Sequence, residues 1–581
     1  MTTTRASGEP ASGEPASGKP SGKPPRRSRG PRLAMGLSLL SFAGVLAAAV
    51  YLPGWLAQTP QPPPAAAPGS GADQAQLDQA RPQAALVTAE DTRLLAQLYA
   101  IPWNSPAYLD RTHGAATLVL TARPAAYTLD SLLLLGAARR IDASTVELTT
   151  SVLVAPGARL VLTAPGTTLR MTSTPAGFTA LVGWKGAITI AGAPGQPLTV
   201  TSWDPAASGP DQQVRDGRAY IRVVGADLQT HFVTLSHLGF WSGRTGGLAI
   251  TGSDAGPGTG WITDTTVHAG HYGLFSADTA KLTIINSTFE DAAADGILLY
   301  RGSQGGTIDT STVRGNAGSG IVADRGSSAV TLRNVTAERN GEDGIRLDGR
   351  PLAERPSAAG VSLDGGRGFR VEDSSARFNA GNGVLIWDAD DTVITGTAVS
   401  SNAEGIVVRG AATRNQLSGN IVAASAGAGI AVRDGATDIV VERNTIAAAD
   451  TGVQVRDARV DVHDNSVTAA RIHGVSFEGA VHGSAVRNNT LAGSGPSALD
   501  LNRLALGAAV GVSNNSDEQW QVPVGLNDRV QWLFGDHPLL ALWSLLLLLP
   551  IIGSVLSRRH RRRARPPVPM PPASEGSALT R

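Results

Sequence analysis

Gly405-Ile-Val-Val-Arg409, Gly429-Ile-Ala-Val-Arg433 and Gly452-Val-Gln-Val-Arg456 state one phrase three times: a glycine, an apolar residue, a variable one, a second apolar residue and a charge. The phrase recurs with its glycine at Gly273, Gly296, Gly320, Gly344, Gly383, Gly405, Gly429, Gly452 and Gly474, the first copy being the loosest. Successive spacings are 23, 24, 24, 39, 22, 24, 23 and 22 residues. A fixed period in the twenties marks a solenoid. A second short apolar run lies near an asparagine in most periods, as in Val330-Thr-Leu-Arg-Asn334 and Ile439-Val-Val-Glu-Arg-Asn444. Each period thus holds two or three short strands and no helix of ordinary length, and the Leu-x-x-Leu-x-Leu frame of leucine-rich repeats is absent. The predicted fold is all-β, a right-handed parallel β-helix.

Side chains alternate along a strand, so the faces of each rung can be tabulated. One residue after the glycine come Ile297, Ile321, Ile345, Val384, Ile406, Ile430, Val453 and Val475; three after come Leu299, Ala323, Leu347, Ile386, Val408, Val432, Val455 and Phe477. These two columns are the predicted core. Four after come Tyr300, Asp324, Asp348, Trp387, Arg409, Arg433, Arg456 and Glu478, and the next column adds Arg301, Arg325, Asp388, Asp434 and Asp457. Charges and rings stacked about 4.8 Å apart suit an extended polymer laid along the solenoid axis. Arg409, Arg433 and Arg456 in successive rungs favour an anionic one, because like charges so close repel unless something negative bridges them. Asp348, Trp387, Arg409, Arg433 and Arg456 are the expected substrate-binding residues. The opposing reading is an ordinary solvated face with Asp434 and Asp457 neutralising the arginines.

The 581 residues carry a net charge of +1 and no cysteine, which excludes disulfides and thiolate chemistry. Residues 1–32 read as a basic cytosolic tail. Leu33–Leu52 and Leu539–Leu556 are uncharged and long enough to cross a bilayer, and the basic clusters beside them place both tails in the cytosol. The expected order is a membrane helix over 33–52, a linker over 53–90, a helical N-terminal cap over 91–145 and the β-helix over 146–506. A juxtamembrane linker over 507–537, a second membrane helix over 538–556 and a basic tail over 557–581 complete it. Helices are expected around Asp91–Ala100 and Leu129–Arg140, where they would cover the first rung. The expected location is the cell membrane, with the β-helix outside the cytoplasm.

Several phrases resemble the periplasmic mannuronan C5-epimerases of the right-handed β-helix class: Arg218-Ala-Tyr-Ile-Arg-Val-Val, Leu235-Ser-His-Leu-Gly-Phe240, Tyr272-Gly-Leu-Phe, Gly296-Ile-Leu-Leu-Tyr-Arg301 and Ser319-Gly-Ile-Val-Ala-Asp-Arg325. The family's Tyr-Gly pair leads into an Asp-Pro-His-Asp signature that supplies the catalytic base. Here the histidine position holds Ala277 and only the second aspartate is matched, as Asp278. The family's carboxylate-neutralising arginines are matched by Arg301 and Arg325. The resemblance implies C5-epimerase or lyase chemistry on a uronate polymer, for which a cation beside the substrate carboxylate is the first requirement. Tyr300, flanked by both arginines, is the candidate acid or base, with Asp324 and Asp278 beside it. The alternatives are a relative that binds or guides polymer without turnover, and a structural cell-surface protein.

No cofactor is expected. His268-Ala-Gly-His271 has a metal-like spacing without a completing shell, so no metal is expected either. Glu290-Asp291 with Asp295 reads as a solvated turn, and Asn286, Asn334, Asn420, Asn444, Asn465 and Asn489 as a stacked asparagine ladder. The expected partners are a polysaccharide, the membrane through its two spans, and polysaccharide synthase or export machinery; nucleic acid is not among them.

Overall fold

The computed structural model describes residues 71–102, 105–351, 364–523 and 525. Met1–Ala75 and Gln76–Arg581 form separate units, and of the first only 71–75 are described. The second is built on a parallel β-helix. One 16-stranded sheet contains every repeat strand in chain order, from Leu274–Ala277 and Ile297–Tyr300 to Thr451–Arg456 and His473–Gly479. Its pairings are parallel from Thr117–Leu120 onward; the first strand, Tyr108–Asp110, pairs antiparallel. Two more strands per turn, such as Thr307–Asp309 and Thr312–Arg314, belong to a second sheet.

The register stacks Ile297, Ile321, Ile345, Val384, Ile406, Ile430, Val453 and Val475 rung on rung. This column and the one two residues on are fully buried from end to end. A single rung could not bury its apolar face; its neighbours on both sides do so. The repeat glycine is required by close approach. A Cβ on Gly320 would lie 2.6 Å from the Gly344 carbonyl oxygen and 2.7 Å from Asn340 Nδ2.

Asn420, Asn444, Asn465, Asn489 and Asn515 form a ladder in which each Nδ2 donates to the next Oδ1 at 2.9–3.0 Å. Asn286 and Asn334 stand one residue before the corresponding turn position, with left-handed φ of 48° and 52°. Ser287 and Val335 occupy the stacking register instead, where their backbone N–H groups donate to Ser311 and Ser374. A second ladder, Asn316–Asn340–Asn379–Asn402, runs through another turn at 2.9–3.1 Å.

Helix α1 spans Gly71–Tyr99, so the helix expected at Asp91–Ala100 is the end of a longer one that begins within the stretch read as linker. It does not cover the end of the first rung. Val87 and Leu94 pack with Val119, Leu153, Val182 and Tyr220 on the outer face of the 16-stranded sheet. Helix α2, Leu129–Leu134, does the capping, with Leu132 inside the main core, and residues 138–140 are already strand. Strands continue to Gln521.

The expected fold class needs one correction. It included two transmembrane helices, but among the described residues no helix is long and apolar enough to cross a membrane. The long helix, α1, carries Asp, Glu, Gln and Arg side chains along its length. The two apolar segments read as spans lie outside the described residues.

Candidate functional site

The register that stacks the core sets the outward residues in a line. Tyr300 follows Ala277, and Asp324 comes next, since Ala323 pairs with both Leu299 and Leu347. Asp348, Trp387, Arg409, Arg433, Arg456 and Glu478 continue it as direct cross-strand neighbours.

One residue on, the chain turns out of the strand through left-handed backbone, with φ of 50° at Asp278, 51° at Asp388, 63° at Asp434 and 49° at Asp457. Aspartate tolerates that conformation, which accounts for its recurrence there without invoking a ligand. Arg301 holds the same position at φ 30°, a strained placement for a long side chain. Its Nε lies 3.9 Å from Asp278 Oδ2, and its carbonyl accepts from the Asp278 N–H at 2.7 Å. Arg325 Nε lies 3.8 Å from Asp324 Oδ1 and has no hydrogen-bond partner among the described residues. The Tyr300 ring stacks on Phe275 at 5.9 Å between centroids, so its orientation is fixed by the rung before.

The other half of the line is occupied. Asp348 is 1% exposed and accepts from Arg350 Nε at 2.9 and 3.1 Å, while the Arg350 guanidinium lies 3.8 Å from the Trp387 ring centre. Asp348 therefore anchors a stack that buries one approach to Trp387, and it and Arg350 form the far edge of the cavity described next. Arg409 and Arg456 each lie 3.3 Å from Asp434, and Arg433 donates to Glu404 at 2.7 and 3.1 Å. Asp457 accepts instead from the Ala480 N–H. Each of the three stacked arginines thus already has a carboxylate.

An open cavity of about 510 Å³ lies on the outer face across the Leu298, Val322 and Arg346 rungs, with Asp324 on one side and Asp295 and Glu342 on the other. Burial, reinforced by Glu342 and Asp324, pushes the Asp295 carboxyl up to about 6, against the hydrogen bond it accepts from Ser319 N–H. Burial beside Asp295 and Asp324 pushes the Tyr272 phenol up to about 12. Burial holds the His271 imidazole down to about 4, so Nε2–H donates to the Trp241 carbonyl at 3.0 Å from a neutral ring. The cavity therefore offers a carboxylic acid that exchanges its proton near neutral pH. Asp295 was grouped by sequence with Glu290 and Asp291, but those two face elsewhere. Glu290 sits in a cross-strand line His268–Glu290–Arg314–Glu338–Arg377 and accepts from Arg314 at 2.6 and 2.8 Å. The signal that separates Asp295 is its place directly before a repeat glycine, shared with Asp343.

His268, Glu290 and Asp291 bring potential metal-ligand atoms together, but Arg314 already neutralises Glu290 and His271 turns away to Trp241.

The chain belongs to the right-handed β-helix family, whose profile, described as a right handed beta helix region, matches residues 225–352 and 356–520, about half of the chain. No curated protein sequence matches it. Among solved structures it is similar to the periplasmic alginate epimerase AlgG, with a TM-score of 0.51 and 15% identity over 72% of this chain and 96% of that one. A single-substitution mutant of AlgG gives 0.50 at 15% identity, with the same coverage of both chains. The A-module of the Azotobacter vinelandii mannuronan C-5 epimerase AlgE4 gives 0.34 at 14% identity over 63% of this chain and 89% of that one. At 15% identity the likeness to AlgG establishes a shared fold, of the class the sequence phrases resemble.

Proposed function

We propose that the outer face of the 16-stranded sheet binds a uronic-acid-containing polysaccharide outside the cytoplasm, with Tyr300, Arg301, Arg325, Asp324 and Asp278 at its centre. The observation that carries this reading is the in-register line of Tyr300 and Asp324 with Arg301 and Arg325 one residue on, Arg325 being only loosely engaged by Asp324, at 3.8 Å. The resemblance to alginate epimerases, one of them described as periplasmic, supports both the substrate class and the compartment. Arg301 and Arg325 would hold the substrate carboxylate and stabilise the negative charge that builds on it when C5 loses its proton. Tyr300 or Asp324 would exchange that proton. Returning a proton to the opposite face of C5 completes epimerisation, whereas expelling the 4-O substituent, protonated as it leaves, completes a lyase reaction. Asp295 deepens the cavity with an acid poised for such a transfer.

A second reading, binding without turnover in the service of synthase or export machinery, is favoured by one observation: Ala277 stands where the resembling family has its catalytic histidine. Incubating the full chain with polymannuronate or polyglucuronate in heavy water separates the two. Deuterium at C5, lost in R301A and R325A, supports an enzyme. Binding that those substitutions abolish, without exchange by the unsubstituted protein, supports the second reading. Absence of binding overturns both.

A further inference from the structure

We infer that the binding face is blind at its N-terminal end, so that the protein engages a terminus of the polysaccharide chain and not its interior; this rests on the polysaccharide reading above. The register defines a second outward column midway across the sheet: Val119, Leu153, Val182, Arg222, Ala249 and Phe275, then Leu298, Val322 and Arg346. A polymer lying along the axis would run over this column. Helix α1 and the segment 238–247 overlie the first six, Phe275 being 7% exposed, whereas Val322, at 6%, lies in the floor of the cavity. At Leu298 the column meets the cavity.

Two elements build the cover, and they are fastened to each other. Helix α1 lies over the first rungs, where Glu90 accepts from the Tyr220 hydroxyl at 2.9 Å, Asp91 from Arg222 at 3.2 Å, and Arg93 donates to Thr117 at 2.8 Å. Asp91 also pairs with Arg244 at 2.9 Å, which ties the helix to the segment 238–247. That segment rests on the next rungs. A Cβ on Gly243 would collide with the Phe275 ring, and one on Gly246 would come within 2.6 Å of the Tyr272 ring. The Trp241 carbonyl is held by His271, and its side chain is 41% exposed. The segment therefore stands as a wall on Phe275, directly before the Tyr300 rung.

Among the described residues, the three rungs of Leu298, Val322 and Arg346 floor the cavity beyond the wall, about 14 Å at the interstrand spacing. At the far side Arg350 stacked on Trp387 and the Arg433–Glu404 bridge occupy the face. A site of this length takes a few sugar units, and the unit at Tyr300, Asp324 and Asp295 has no room for a continuing chain on the wall side. The chain terminus and the candidate chemistry fall at the same place.

The test uses the full chain with oligomannuronates and oligoglucuronates of four to eight residues, and with the parent polymers, in competition binding. If the face is blind, inhibitory strength per sugar residue rises by the same factor as the number of chain ends when a polymer is cut. A bulky label on one terminus, reducing or non-reducing, abolishes binding while the same label on the other leaves it intact. Strength per residue that is unchanged or falls as chains shorten, or polymer bound equally well with both termini labelled, overturns the inference and leaves the polysaccharide reading standing. Binding of neither oligomer nor polymer removes that reading and the inference with it.

Discussion

Arg433 does not project from the rung that carries it; its guanidinium reaches back across the width of the preceding strand and donates twice to Glu404, 29 residues earlier. The bridge crosses the face where Val407 and Ala431 stack, and both are fully buried on what is formally the outer side. Removing either partner strands a part-buried charge, so R433A and E404A should each cost about 1–3 kcal/mol. The double substitution should cost clearly less than the sum, as chemical denaturation would show. Additive costs would mean that the pair is a surface contact of little consequence.

Interior turns carry more weight. Asn465 Oδ1 accepts from both the N–H and the Nδ2 of Asn444, and Asn465 Nδ2 donates to Asn489 Oδ1 and the Val441 carbonyl. N465A leaves buried donors and acceptors unmet on both neighbouring rungs, a cost of about 3–5 kcal/mol. Hydrogen exchange should accelerate across the strands from Ile439 to Arg487 and much less in the rungs near Gly320, because solenoid coupling is to nearest neighbours.

How much of this was legible in sequence follows from range. The alternation that buries Ile321 and Ala323 and turns out Asp324 is local and periodic, so it can be read directly. The asparagine ladder was legible through Asn420, Asn444, Asn465 and Asn489, whereas Asn286 and Asn334 lie one residue off register, a difference that only the backbone turn resolves. Glu404 as partner of Arg433, Arg350 as partner of Asp348, and α1 on the outer face are a different matter. Tyr220 meets Glu90 across 130 residues, and no period links them. Asp295 was visible as a residue but not as a site, since its raised pKa comes from burial and from Glu342 and Asp324 on later rungs.

Two glycines test two distinct reasons for glycine. G320A places a Cβ against the Gly344 carbonyl and Asn340, both held in the core, and should cost about 3 kcal/mol. Gly305, at φ 64° with open space around its missing Cβ, should cost about 1 kcal/mol on substitution to alanine, from backbone conformation alone. Comparable midpoints for the two variants in urea would contradict the close-approach account of the repeat.

Asp295 sets a pH dependence whose sign is unusual for a carboxylate. Its folded pKa, about 6, lies above the unfolded value of 3.8, so folding favours the protonated form and stability falls as pH rises from about 4 to about 6. D295N removes that loss and keeps an oxygen for the Ser319 N–H. It should stabilise the protein by about 2 kcal/mol at pH 7.5 and leave it unchanged at pH 4. His271 acts on the opposite limb: its pKa is depressed from 6.5 to about 4, so its contribution is complete above 6.5 and lost as pH falls toward 4. Unfolding free energies from pH 4 to 8 for D295N and the unsubstituted protein check this, and equal slopes would refute the assignment.

Arg325 is the residue on which the substrate reading can be separated most cleanly from stability. It is half-exposed, its nearest carboxylate is at 3.8 Å, and its Nε has no hydrogen-bond partner among the described residues, so little of the fold depends on it. R325A should leave the melting temperature within about 2 °C, as a surface substitution does. A lost charge-assisted contact to a uronate carboxylate is worth about 1.5–3 kcal/mol, which weakens binding about 10- to 150-fold. R325K keeps the charge but not the two-pronged geometry, and should recover only part of the affinity. Calorimetric titration with a uronate hexasaccharide checks both variants. An R325A protein that binds as tightly as the unsubstituted chain would move the carboxylate contact away from this rung.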